Sequence, residues 1–203
     1  MKALAGLVCV LMATATAAAR GEDRIRDAQG TCADGLTVPA DAGMRLAVFA
    51  RPAEVNLVGT DTREIRVTCK LDDEDRANRV RIRYYGGDGK GELAIKGGPN
   101  NNVRITIEMP HQTHLHVRVP AGAVHIKDVA GDKDIDVHAG ELTISCVNPG
   151  EYRSVDAEVE IGEVRAREFS VDKGGFFRSF KRFSSEGLYR LDAHIITGSI
   201  QLN

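Results

Sequence analysis

From Arg45 to its end the chain alternates apolar and polar residues with a period of two, and that alternation confines it to β-structure. In "RLAVFA" Leu46, Val48 and Ala50 share one phase, and "REIRVTC" and "RVRIRYY" repeat the pattern with arginines on the other. "VRITIEMP" sets Val103, Ile105, Ile107 and Met109 against Arg104, Thr106 and Glu108. Each such run has one face for a core and one for water. The clusters "GGDGKG", "KGGPNNN", "PAG", "VAGD", "HAG", "NPG" and "DKGG" separate the runs as turns. Apart from the first nineteen residues, no window sustains an apolar period of 3.6. The expectation is an all-β protein.

A second pattern lies over the first. A glycine followed by alternating aliphatics recurs as "GAVHI" from Gly122, "GELTI" from Gly140, "GEVRA" from Gly162 and "GSIQL" from Gly198. "DAEVEIGEVRA" (156–166) matches "DAHIITGSIQL" (192–202) in register. Units of about twenty residues, each opened by glycine, predict a β-solenoid whose coils stack their aliphatics on one another. Glycine supplies the positive-φ corner that a tight coil needs. Pro110, Pro120, Gly131 and Asp132 read as further structural turns. An irregular β-sandwich is the alternative. Either is expected as a single domain over residues 43–203, after a leading segment at 20–42.

The first nineteen residues read as a secretory signal peptide: Lys2, an apolar run, then an A-x-A site that places cleavage near Ala19. Cys9 sits inside the apolar run after Val8, which does not suit a lipoprotein cysteine. No later stretch is apolar enough to span a bilayer, so the processed chain is expected to be exported, periplasmic or at the cell surface. Its charge is nearly balanced, −2 overall, which argues against a nucleic-acid partner. Cys32, Cys69 and Cys146 remain after processing, an odd number that leaves the pairing unassigned. Cys69 and Cys146 fall on apolar phases and read as buried side chains. Cys32 lies in a polar stretch and reads as exposed.

"HQTHLHVRV" (111–119) invites a metal reading. Leu115, Val117 and Val119 are the apolar phase, so His114 and His116 share the polar face with Arg118. Neighbours at i and i+2 on a strand can ligate a metal together, which makes these two weak metal candidates. The local sequence offers no acid or thiol to complete a set, and solvated histidines are the simpler account. Asp132, Asp134 and Asp136 have the alternate spacing of a calcium loop, but "GDKDID" occurs only once. "LDDEDR" (71–76) reads as a solvated turn. No metal and no cofactor is expected. G-x-S-x-G, H-E-x-x-H, the P-loop and C-x-x-C are missing, so no catalytic residue is assigned.

"VDKGGFFRSFKRFSSEG" (171–187) holds four of the chain's six phenylalanines. Residues 173–187 read as an aromatic-basic loop. Either Phe176, Phe177, Arg178, Phe180, Lys181, Arg182 and Phe183 touch a partner or a membrane surface, or the phenylalanines plug the open end of the stack.

The run 103–144 also resembles a bacterial family known as "putative adhesins", exported β-solenoid domains. The resemblance covers roughly residues 43–203. It rests on Pro110, Val119-Pro120, then Gly122, Val124, Ile126, Val129, Gly131 and Asp132, followed by Gly140, Leu142 and Ile144, with "GSIQL" at the close. These residues make turns and core, so the resemblance implies a fold and a non-catalytic surface role and brings no site residues with it. The expected function is a non-enzymatic envelope module contacting a glycan or another protein. The alternative is a carbohydrate-active lyase or hydrolase on a solenoid scaffold.

Overall fold

The structure, a computed structural model, describes residues 26–71, 74–99, 102–145 and 147–203. The expected leader at 1–19 and Cys146 lie outside the described residues. Alternation becomes strand throughout. Eight short strands come first: β1 (Arg26–Thr31), β2 (Leu36–Pro39), β3 (Met44–Ala50), β4 (Glu54–Thr60), β5 (Glu64–Lys70), β6 (Val80–Gly87), β7 (Lys90–Gly97) and β8 (Arg104–Pro110). Five long ones follow: β9 (Thr113–Lys127), β10 (Lys133–Ser145), β11 (Tyr152–Ala166), β12 (Val171–Phe183) and β13 (Tyr189–Leu202). A single helical turn at Glu74–Ala77 and two 3-10 turns complete the described elements. No helix among the described residues is long and apolar enough to cross a membrane.

All thirteen strands join one sheet that forks at β9. The first half of β9 pairs with β3, Met44 against Thr113 through Phe49 against Arg118. Its second half pairs with β4, Val55 against Val124 through Val58 against Lys127. One branch runs on through β7 and β6 to β1, the other through β8 and β5 to β2. On the far side β10, β13, β11 and β12 each carry both branches.

Chain length forces the long strands to bend. Lys133 lies beside Leu115 in the ladder, and only the five residues 128–132 link it to Lys127, a reach of at most about 20 Å. A straight strand from Leu115 to Lys127 would span about 40 Å. The two halves of β9 therefore fold back toward each other, with Leu115, Val117 and Val119 of one half and Val124 and Ile126 of the other in a single core.

The bend sits at glycine. Gly122, Gly140, Gly198 and Gly162 are successive partners across β9, β10, β13 and β11. Gly140 has φ +141°, and a Cβ there would lie 1.8 Å from the carbonyl oxygen of Gly122. A Cβ on Gly198 would lie 1.7 Å from the oxygen of Gly140. Both the dihedral and the close approach exclude a side chain.

Three expectations change. The segment read as leading, 20–42, supplies β1 and β2, which close one end of the sheet. They are short edge strands with few buried positions, so their alternation is faint in the sequence. Residues 173–187 are not chiefly a loop: most belong to β12, antiparallel to β11. The repeats do not lie side by side in chain order: β13 inserts between β10 and β11.

Cys32, expected to be exposed, is 5% exposed and disulfide-bonded to Cys69, with Cα atoms 5.1 Å apart. It follows β1 at the crossing into β2, and β2 pairs with β5, which carries Cys69. The bond fastens the β1–β2 end to the body.

Two outcomes are expected in urea denaturation. Gly140→Ala loses more than about 3 kcal/mol or fails to fold. Gly89→Ala, also at positive φ but with open space around it, loses only about 1–2 kcal/mol. Equal losses would refute the glycine column as the special site. Cys69→Ser, or reduction of the parent, lowers stability by about 4 kcal/mol for a loop of separation 37.

Candidate functional site

Among the described residues β12 is the last strand of this path of the sheet and pairs only with β11. The partner-contact set expected from sequence is divided there. Phe180 is 9% exposed and joins the core, its ring 5.1 Å from Phe169. Arg182 stacks its guanidinium over Phe169 and donates to Pro149 O at 2.8 Å. Lys181 pairs with Asp156 at 2.6 Å. These three tie the strand to the body. Phe176, Phe177 and Phe183 are 69%, 76% and 81% exposed. Leaving one phenylalanine in water forgoes about 1.5–3 kcal/mol of burial, so three on one strand call for an explanation.

The backbone between them is pinched. Gly175 has φ +120° and Phe177 φ +50°, a left-handed position that costs a non-glycine residue about 1–2 kcal/mol. Two cations hold the pinch from opposite sides. Lys173 Nζ donates to Ser179 O at 3.1 Å, and Arg178 Nε donates to Gly174 O at 2.7 Å. Neither has a carboxylate partner among the described residues.

A second feature lies on the outer face of the first branch. The cross-strand row there is His116, Asp134, Asp192, Asp156, Lys181. The next row is Arg118, Asp136, His194, Glu158, Ser179. His116 Nδ1 lies 3.0 Å from Asp134 Oδ2, and Arg118 grips the other oxygen at 2.8 Å. Asp192, the middle carboxylate, has its pKa pushed up, first by desolvation and then by Asp156, Asp134 and Asp132, with Arg190 opposing. The acids of both rows, with Arg118 and His194, line a shallow groove of about 300 Å³. It can accept hydrogen bonds and attract cationic groups.

The two candidate metal ligands do not converge. His114 Nδ1 lies 3.2 Å from Asp132 and accepts from the Asp132 amide, while His116 turns to Asp134. Among the described residues no three His, Cys, Asp or Glu side chains could share a metal ion. The acids absent from the local sequence arrive from the neighbouring strand β10 and the turn before it, eighteen residues on. The offset between Gly122 and Gly140 already carried that information.

One buried group escaped the sequence reading. Lys133 takes an inward position beside Leu115 and Leu191 and is 2% exposed. Its Nζ donates to Tyr152 Oη at 2.6 Å and Gly131 O at 3.2 Å. Burial lowers its pKa to about 8, with Glu151 and Asp132 opposing, and the same burial pushes the Tyr152 hydroxyl up. Tyr189 stands between Tyr152 and His114.

No protein-family model matches the chain, and no curated protein matches it in sequence. Among solved structures it is similar to a crystal structure described as a putative cell adhesion protein from Clostridium sporogenes. That likeness has a TM-score of 0.51 at 14% identity and covers 88% of this chain and 99% of that one. A structure described as a putative adhesin from Bacteroides fragilis matches with a TM-score of 0.32 at 12% identity, over 59% of this chain and 57% of that one. The first likeness is one of fold.

Lys133 yields a pH test. The unfolded lysine keeps its proton to about pH 10.5 and the folded one only to about 8. Between those values unfolding takes up a proton, so stability rises with pH. Above about 10 the raised Tyr152 pKa opposes the rise. Unfolding free energy is therefore expected to gain about 2–3 kcal/mol between pH 7.5 and 10. Lys133→Met should flatten that rise; an unchanged profile in the variant would refute the assignment.

Proposed function

We propose that the chain is an exported, non-catalytic envelope or surface module of the adhesin type, whose contact element is the β12 end of the fold. Its leader, residues 1–19, is removed near Ala19, and the rest forms one domain. The architecture is best read as a β-solenoid. One bent strand makes each coil, glycines mark the corners, and parallel coils stack in register. The short antiparallel strands that complete both branches are the part a sandwich would share.

Several features support export and a binding role. The Cys32–Cys69 disulfide suits an oxidising compartment, and the A-x-A motif suits a processed leader. A fold shared with a protein described as one of cell adhesion points the same way, although fold alone does not carry function. The observation that carries the reading is β12 itself, with three phenylalanines in solvent on an unpaired edge of the sheet. The envelope partner is read as a glycan or another protein. The groove bearing Asp134, Asp156 and Asp192 is the one feature in favour of a carbohydrate-active enzyme.

The test compares the parent with a variant in which Phe176, Phe177 and Phe183 become Ser and Phe180 is left in place. Envelope pull-downs and glycan arrays are expected to lose binding at least tenfold in the variant, with the urea midpoint unchanged because all three side chains are exposed. Full retention of binding would remove β12 as the contact. Polysaccharide turnover abolished by Asp192→Asn would replace the binding role with the enzymatic one.

A further inference from the structure

The outward residues at the coil corners form a row that grows more apolar toward the open end. Across the strands it reads Ala121, Ala139, Thr197, Ile161, Phe176. Ile161 is 46% exposed, and Ile196, next to Thr197, is 36% exposed. Phe177 extends the row at 76%. Four of the seven large exposed apolar side chains among the described residues therefore share one corner.

This ridge is convex, because it lies outside the bend that the glycines make. A rigid protein partner would need a matching groove, whereas a soft interface closes around a convex tip. The strand edge at the tip is also partly occupied, since Lys173 and Arg178 already bond to Ser179 O and Gly174 O. An added strand would have to displace them, but a low-dielectric surrounding finds those carbonyls satisfied. Among the described residues the same two cations lack carboxylate partners, and they flank the phenylalanines with long apolar stems that let their heads stay in a headgroup layer.

We infer that the corner formed by Ile196, Ile161, Phe176 and Phe177, with Lys173 and Arg178 beside it, inserts into the interface of an anionic lipid bilayer. The inference rests on the reading of the β12 end as the contact element and names what that end touches. Apolar insertion and cation–headgroup attraction act together, as they do for interfacial amphipathic surfaces.

The chain has no tryptophan, so Phe177→Trp places a single reporter at the tip. In the purified exported protein its emission is expected to shift to the blue with vesicles of mixed phosphatidylglycerol and phosphatidylcholine, and brominated acyl chains should quench it. Pure phosphatidylcholine should bind at least fivefold more weakly, and 0.5 M salt should weaken binding to the anionic vesicles severalfold. Phe176→Ser with Ile161→Ser, added to the reporter variant, should weaken vesicle binding about tenfold or more. Unchanged emission with vesicles, in a variant that still binds the envelope fraction, overturns the lipid assignment and leaves the contact reading standing. A blue shift that depends on protein concentration without lipid assigns the corner to a second copy of the chain and also overturns it. Loss of response to both vesicles and envelope fraction would refute the two readings together.

Discussion

The fold depends on one steric condition: at each bend of the long strands a carbonyl oxygen occupies the place where the next strand's Cβ would be. Gly140 sits against Gly122, Gly198 against Gly140, and Gly162 against Gly198, each within 2 Å of where its own Cβ would stand. Because the backbones approach so closely there, the ladder continues through the bend without a break. One strand can then serve both branches of the sheet, and every long parallel strand keeps the same phase of aliphatics inside. A single Cβ would push two strands apart at the point where both branches meet. The damage would therefore reach the core on either side of the corner.

An open sheet of this kind leaves edges, and the β1–β2 end and the β12 end are finished differently. At one end β1 and β2 are short, β2 finishes at Pro39, and Arg26 bonds across to the Pro39 carbonyl. The Cys32–Cys69 bond locks this end to β5. Short edge strands, a proline and an arginine all discourage a further strand from adding. At the other end β12 is long and free of proline. It is guarded only by cations on its own carbonyls, and it shows phenylalanine to solvent. One end is closed and the other presents a surface, so the molecule has a direction.

Much of this was legible in the sequence where one rule governed one residue. Leu46, Val48, Val117 and Ile126 are buried as their alternation demands, because a half-buried strand has no other way to place them. The glycines at 122, 140, 162 and 198 could be recognised as corners because only glycine tolerates the required dihedral. What stayed hidden depended on which strand lies beside which. The repeats at 156–166 and 192–202 are near-identical in pattern, and nothing local says that the later one slips between β10 and the earlier one. Cys32 looked exposed since its neighbours are polar; its partner is reached only after β2 finds β5. β12 was obscured by its own corner, where Gly174, Gly175 and the left-handed Phe177 interrupt the alternation that would have marked a strand.

The histidines show how the same ladder creates chemistry and then restrains it. A register of eighteen residues places Asp132 beside His114 and Asp134 beside His116, so each imidazole has a carboxylate. In-register stacking also lines up like residues, and here it sets Asp134, Asp192 and Asp156 side by side. Carboxylates directly opposite on neighbouring strands repel by about 0.2–1 kcal/mol each. The row is therefore held from its ends, by His116 and Arg118 on one side and Lys181 on the other. Lys181 belongs to β12, so the strand that carries the exposed phenylalanines also supplies the counter-charge for this face. Removing β12 would leave Asp156 without its cation, uncover Phe169 and the core beneath it, and expose the edge of β11. The strand proposed as the contact element is thus also the piece that closes the fold. That dual role explains why its seven expected contact residues separate into three that hold the body and four that face outward.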